Sequence, residues 1–296
     1  MFKSAGIAYL LLSTNYLLIM MILDGRKLRN TILEEVTKEV EQLSFQPLFT
    51  DIVIGEDPAS LQYARMKKKT AEALGFGYVD AFFPSDTPAE TLFEEIARLS
   101  ALPHMAGIII QLPIPAHLPQ KELLDAIPPH LDVDVLGAHA EELFYSNKSP
   151  LILPTAHAVI KLLDEAGADY NKHTFVVVGR GALVGKPVIH LLKERGARVE
   201  VVTRTTTSED KQRLLAEADV IVSATGVAKL ITGEMVKDGV IVVDAGTSES
   251  SGAIVGDVDF DTVSPRASFV TPTPGGVGPV TVACLFMNVL AVSKTL

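Results

Sequence analysis

Tyr63 and Lys67 stand four residues apart in PASLQYARMKKKTAEALGF. That spacing sets both side chains on one face of a helix. A phenol beside an amine can pass a proton, which is the work of a general acid–base pair near neutral pH. The same spacing also suits a solvated helix face, so the pair takes its meaning from what accompanies it. GIIIQLPIP ends an apolar run with Gln111, and HLDVDVLG offers Asp132 and Asp134 in a loop. In α/β domains ligands are held beyond the carboxyl ends of strands, where Gln111 falls. The two acids read either as ligand contacts or as solvated or helix-capping groups.

A second constellation points to a cofactor. FVVVGRGALVGKPVIHLL sets Gly179, Gly181 and Gly185 between an apolar strand and a helix. Such glycines permit a tight turn and let a diphosphate approach the amino end of the helix. The spacing is one residue longer than the commonest dinucleotide fingerprint, but strand, turn, helix and next strand all follow in order. NAD-binding chains usually carry an acid at the end of that next strand, for the ribose hydroxyls, whereas a cation there meets the extra phosphate of NADP. This chain reads VEVVTRTTT, with Arg204 and a group of threonines, so NADP is the expected cofactor. Arg180 in the glycine loop is a second phosphate candidate, although either arginine also suits a solvated position.

The elements that must position these residues alternate. Apolar positions at helical spacing from Leu28 to Leu43 predict a helix, and LFTDIVIG predicts a buried strand ending at Gly55. A helix over 58–74, a strand over 77–83, a helix begun by Thr87 and Pro88, and the strand GIIIQ follow. Residues 112–150 read as irregular and proline-rich, and a helix from about Thr155 to Ala168 carries the chain onward. A second series begins with HTFVVVG and continues with strands near 199–203, 219–223, 240–244 and 268–271. This is the pattern of parallel sheets covered by helices, in two domains. TPTPGGVGPVTVACLFMNVL then sets prolines and glycines ahead of an apolar helix over 279–293, with Pro279 at its start and Thr281 just inside it. It reads as a stiff wall, poor in side chains, whose amides can face a flat polar ring or an anion.

Composition bounds these readings. The chain has 296 residues, enough for two cores, with 48% hydrophobic and 21% charged residues. A formal net charge of −10 argues against sequence-independent nucleic-acid binding, which needs surplus lysine and arginine. The single Cys284 cannot form an internal disulfide, consistent with a reducing compartment, and the seven histidines show no close pair at metal-ligand spacing, so no metal is expected. The first twenty residues carry an apolar run interrupted by Ser13, Thr14 and Asn15, without a small-x-small cleavage site and marginal for a membrane span. An upstream start, an anchor and an export signal all compete, and the first is favoured, with the working protein beginning near Met21 and residues 1–20 outside the fold.

Taken together, Ser60-x-x-Tyr63-x-x-x-Lys67, Gln111-Leu-Pro-x-Pro115, Asp132-Val-Asp134, VVVGRGALVGKP, GDVDF at 256–260 and PGGVGPVT at 274–281 resemble the bifunctional methylenetetrahydrofolate dehydrogenase/cyclohydrolase family. The resemblance runs from Met21 to the end, in order. It implies an α/β fold of two α/β domains, the second a Rossmann-like dinucleotide-binding domain, with the folate cleft between them. The expected division is 21–150 plus 276–296 for the folate-binding catalytic domain and 151–275 for the NADP-binding domain. The resemblance further implies oxidation of methylenetetrahydrofolate with NADP and hydrolysis of the methenyl product to 10-formyltetrahydrofolate. In that scheme Lys67 is the acid–base group, Tyr63 positions the substrate, Gln111 supports Lys67, and Asp134 holds the pterin. Pro274, Gly275, Gly276 and Thr281 join the substrate site, while Thr205, Thr225, Gly226 and Thr247 join the glycine loop and Arg204 around the cofactor. A cytoplasmic homodimer acting on tetrahydrofolate one-carbon derivatives, with neither nucleic acid nor membrane as partner, is implied as well.

This sequence departs from the family at several positions. Val135 follows Asp134 where glycine is usual, PTAHA stands at 154–158, Gly181 and Arg204-Thr205 replace other residues near the cofactor, and DAGTSES occupies 244–250. Retention of Tyr63, Lys67, Gln111 and Asp134 points to both activities. A dehydrogenase alone and a cofactor-binding regulatory protein without chemistry are the competing readings.

Overall fold

The computed structural model describes residues 21–250 and 253–296; the expectation about residues 1–20 falls outside them. The chain opens with a two-residue strand β1 (Met21–Ile22) and helix α1 (Gly25–Val40). It continues through β2 (Leu48–Ile54), α2 (Pro58–Ala73), β3 (Gly77–Phe83), α3 (Ala89–Ser100) and β4 (Met105–Ile110). Two short helices, α4 (Gln120–Asp125) and α5 (Ala138–Tyr145), precede α6 (Pro154–Glu165). The expectation of an irregular 112–150 segment is therefore corrected. Buried Leu123 and Leu124 in α4, with Ala140 and Phe144 in α5, supply enough apolar surface to hold one or two helical turns against a core.

The second half runs β5 (Thr174–Val178), α7 (Gly185–Glu194), β6 (Arg198–Val202), α8 (Ser208–Glu217), β7 (Val220–Ser223) and β8 (Ile241–Asp244). A small hairpin of β9 (Ser248–Ser250) and β10 (Ala253–Val255) follows, then α9 (Phe260–Val263), β11 (Phe269–Val270) and α10 (Val277–Ser293). The last helix thus begins two residues before the expected start, and Pro279 is its third residue rather than its first. Among the described residues no helix is long and apolar enough to cross a membrane.

The chain divides into two compact units. One comprises Asn30–Pro154 with Val282–Leu296. Its sheet is parallel, in the order β3-β2-β4. β4 is buried along its whole length, and Phe49 of β2 packs edge-on against Phe286 of α10, which also stacks on Phe76. Continuous apolar strands of this kind belong in a sheet covered on both faces.

The other unit holds Thr155–Thr281 together with the start of the chain through Arg29. Its six strands are all parallel, in the order β1-β11-β8-β7-β5-β6. Val176, Val178, Ile221 and Val242 fill its core from the central strands. Residues 21–29 thus group with this sheet, through the β1 pairing with β11, whereas the sequence reading set them with the first domain. Two residues of strand gave no periodicity to read. Gly25 explains the contact: a Cβ there would lie 1.8 Å from the carbonyl oxygen of Gly276, so only glycine lets α1 begin against the proline-glycine segment.

Candidate active site

The first unit gathers its chemistry at the carboxyl ends of β2 and β4. Helix α2 starts at a capped end: the side chain of Asp57 accepts from the backbone NH of Ser60 at 2.8 Å, and Pro58 opens the first turn. One turn further in, Tyr63 is half exposed, and Lys67 follows it on the same face. The Lys67 side chain is only 12% exposed. Its Nζ donates to Gln111 Oε1 at 2.7 Å. The amide of Gln111 is oriented by a second bond, from its Nε2 to the carbonyl oxygen of Leu112 at 2.7 Å. The oxygen is therefore left to face the amine.

A third group was not foreseen from sequence. Asp51, in the middle of β2, lies with Oδ2 2.7 Å from Lys67 Nζ and with a fully buried side chain. The contact is that of an ion pair, and its angle falls short of a hydrogen bond. Burial pushes the Asp51 carboxyl above its ordinary range, and the Lys67 charge pulls it back in part. The signal was present in LFTDIVI, where an acid sits in the middle of a mostly apolar strand.

The loop of Asp132 and Asp134 divides labour between its two acids. Asp132 Oδ2 accepts from the backbone NH of Leu136 at 2.9 Å and of Gly137 at 2.8 Å, tying the loop to the start of α5. Asp134 is free of that duty and within the field of Lys67. Burial raises its carboxyl to about 6; Lys67 opposes the rise, and the charges of Asp132 and Asp51 add to it. Val135 takes φ +58° with its side chain buried. For a β-branched residue that is a strained conformation, held here by its packing. Asn288 of α10 secures the same loop, donating through Nδ2 to the carbonyls of Val133 at 2.8 Å and Ile152 at 2.7 Å. A lone amide in an apolar helix was its sequence signal.

In the second unit β5 runs into the glycine turn. Gly179 has φ +99°, and a Cβ there would lie 2.4 Å from the carbonyl oxygen of Ala224. One at Gly185 would lie 2.3 Å from the carbonyl oxygen of Gly179, whereas the space beside Gly181 is open. Two of the three glycines thus close the turn, and the third leaves a free cradle ahead of α7. At the end of β6 the threonines bond to each other: Thr203 Oγ1 lies 2.9 Å from Thr205 Oγ1, and Thr206 Oγ1 accepts from the NH of Thr203 at 3.0 Å. Arg204 is exposed within this turn, as is Arg180 in the glycine loop.

The next strand end is held by an acid the sequence reading quoted without a role. Asp257 of the GDVDF stretch is fully buried and accepts from Ser223 Oγ at 2.7 Å, the NH of Thr225 at 2.7 Å and the NH of Val227 at 2.8 Å. Gly226 lies within this clasp at φ +70°, beside the backbone of Thr247. Asp244 supports Asp257 from below, accepting from the NH groups of Gly246, Asp257 and Val258. Burial and the neighbouring Asp257 charge raise Asp244 to about 6, against the pull of those NH groups. Pro274, Gly275 and Gly276 also fall in this unit, with Gly275 at φ +116°. Thr281 belongs here too, but its hydroxyl donates back to the carbonyl oxygen of Val277 at 3.1 Å within α10.

These residues fit a dinucleotide. The glycine turn leaves open space at Gly181, the end of β6 carries a cation and hydroxyls with no acid, and the 225–227 loop has its amides fixed by a buried carboxylate. An NADP phosphate would find Arg204 and the threonines at the strand end, and the diphosphate would find the α7 amino end.

Comparison with known proteins agrees with both units. Residues 23–134 match the tetrahydrofolate dehydrogenase/cyclohydrolase catalytic domain, and residues 154–296 match the tetrahydrofolate dehydrogenase/cyclohydrolase NAD(P)-binding domain. The chain is 36% identical over 276 residues to the Bifunctional protein FolD of Lactobacillus gasseri, covering 92% of this chain and 97% of that one. It is 39% identical over 279 residues to the Bifunctional protein FolD of Methanoculleus marisnigri, covering 93% and 96%. Among solved structures, the bifunctional FolD methylenetetrahydrofolate dehydrogenase/cyclohydrolase of Campylobacter jejuni superposes with a TM-score of 0.87 at 33% identity, covering 93% and 99%. The Trypanosoma brucei N5,N10-methylenetetrahydrofolate dehydrogenase-cyclohydrolase, solved with NADP cofactor and inhibitor, gives 0.86 at 34%, covering 93% and 98%. With two matched domains in order and relatives aligned over nearly their whole length, this chain belongs to the tetrahydrofolate dehydrogenase/cyclohydrolase family.

Proposed function

We propose that the protein oxidises methylenetetrahydrofolate to methenyltetrahydrofolate with NADP and then hydrolyses the product to 10-formyltetrahydrofolate. The observation that carries this reading is the largely buried Lys67 amine, fixed by Gln111 and within the field of the Asp134 carboxyl. NADP, when bound, supplies the hydride acceptor for the first step. Gly179, Arg180, Gly181, Gly185, Arg204, Thr205, Thr225, Gly226 and Thr247 are the residues we assign to holding it. The residues of 21–150 with 276–296 are assigned to the folate, and those of 151–275 to the cofactor.

On this reading Tyr63 supports the substrate ring system from the helix face, and Asp134 accepts hydrogen bonds from the NH edge of the pterin. Pro274, Gly275, Gly276 and Thr281 complete the substrate contacts. In the second step water adds to the methenyl carbon, the bond from that carbon to N5 breaks, and the formyl group stays on N10. N5 gains one proton and one is released for each water consumed. Lys67 is the group that moves the proton, and Gln111 keeps its nitrogen in place while it does so. We further assign the protein to the cytoplasm as a homodimer, with no nucleic acid or membrane among its partners.

The test uses the purified full chain with methylenetetrahydrofolate and either NADP or NAD, following reduced cofactor and methenyl product separately. Reduction with NADP and no build-up of the methenyl product, together with loss of hydrolysis in Lys67→Met, is the expected result. Persistent methenyl product would reduce the reading to a dehydrogenase alone, and no turnover with either cofactor would overturn it.

A further inference from the structure

The amine of Lys67 has three N–H donors when charged. Gln111 Oε1 takes one of them, from the end of β4. A second direction is filled from beneath by Asp51, whose Oδ2 lies 2.7 Å away. Neither oxygen of Asp51 has a hydrogen-bond partner, and its side chain has no exposed surface. A carboxylate set in the central strand of a three-stranded sheet, with apolar Phe49, Ile52 and Val53 near it in sequence, has no folding reason to be there. Buried ion pairs rarely exceed well-packed apolar residues in stability, so such a group is best explained by what it does to its neighbour.

We propose that Asp51 is a positioning residue for Lys67: a buried counter-charge that anchors the amine from the sheet side, so that Gln111 and Asp51 together leave one N–H direction for the substrate. This rests on the reading of Lys67 as the proton-moving group. Asp51 itself touches no substrate, because its side chain has no exposed surface. The arrangement differs from the Lys68 to Asp80 pair one residue along, which is solvated at its acid end and carries no such constraint.

The test compares wild type with Asp51→Asn and Asp51→Leu by two independent readouts. The first is the rate at which Lys67 is acetylated by acetic anhydride at fixed pH, measured by peptide mass spectrometry. The second is steady-state kinetics of methenyltetrahydrofolate hydrolysis. Both variants leave the Lys67 charge without its buried partner, so both are expected to lower the thermal midpoint, and a wild-type circular dichroism spectrum at the assay temperature shows that they remain folded. Released from its counter-charge, Lys67 is expected to acetylate about threefold faster or more in both variants. The kcat of hydrolysis is expected to fall about tenfold with KM unchanged.

A Lys67 acetylation rate that stays at the wild-type value in both variants overturns the proposal, as does a loss confined to KM. Wild type that turns over no folate, with faster acetylation in the variants, would overturn the functional reading and leave the Asp51 to Lys67 relation standing.

Discussion

Gln111 offers its oxygen to Lys67 at 2.7 Å because its nitrogen is already committed to the carbonyl of Leu112, also at 2.7 Å. An amide is thereby converted into a one-sided acceptor aimed at an amine. Gln111→Leu removes that acceptor and leaves the backbone carbonyl of Leu112 to solvent. We expect methenyl hydrolysis to lose about tenfold in kcat while stability changes by about 1 kcal/mol or less. Decay of methenyl absorbance and a urea titration read the two effects separately.

Asp134 gives a pH dependence of defined sign. Its carboxyl is raised from the ordinary 3.8 to about 6, so the folded protein holds this proton more tightly than the unfolded chain. The stability it contributes is complete below 3.8 and lost as pH rises through about 6. Asp134→Asn cannot ionise, and it should match wild type near pH 3 yet exceed it at pH 8 by about 3 kcal/mol in urea unfolding. Folate KM in wild type should rise as pH falls through the same range, since the protonated acid offers the pterin one acceptor fewer.

Asp257 serves three donors with two oxygens. In Asp257→Asn one oxygen becomes an NH2 group facing an existing NH donor. The expected cost is about 1–3 kcal/mol of stability, with NADP KM raised more than folate KM because the 225–227 loop is what loosens. Thermal unfolding together with the two KM values checks this.

Cofactor choice should be concentrated at the end of β6. Arg204→Ala is expected to raise the KM for NADP about tenfold while leaving that for NAD unchanged. The ratio of the two kcat/KM values is the measurement, and equal loss with both cofactors would assign the arginine elsewhere.

Much of this was legible in sequence because the apolar periods are long and uninterrupted. VIVV at 240–243 and FVVV at 175–178 could only be buried strands, and the glycine turn after the second of them follows from backbone geometry that no other residue supplies. Tyr63, Lys67 and Gln111 were legible through helix spacing and a strand end. Asp51 was not, since a lone acid in a strand says nothing of which helix lies over it until the chain is folded. Asp132 and Asp134 looked alike in the motif, and only the burial of one beside backbone NH groups and of the other beside Lys67 separates them. The short helices of 112–150 escaped because one or two turns carry too few residues to set a period.

The unit that bears Lys67 is discontinuous in the chain, closing only with Val282–Leu296. Phe286 completes its aromatic cluster and Asn288 ties down the loop of Asp134. Synthesis runs from the amino end, so during translation the residues of the first unit emerge early yet must wait for the last helix, while the second unit, made later, has most of its sheet complete before them. The unit that carries Lys67 is thus completed last, by Val282–Leu296, although most of its chain is made before the bulk of the other.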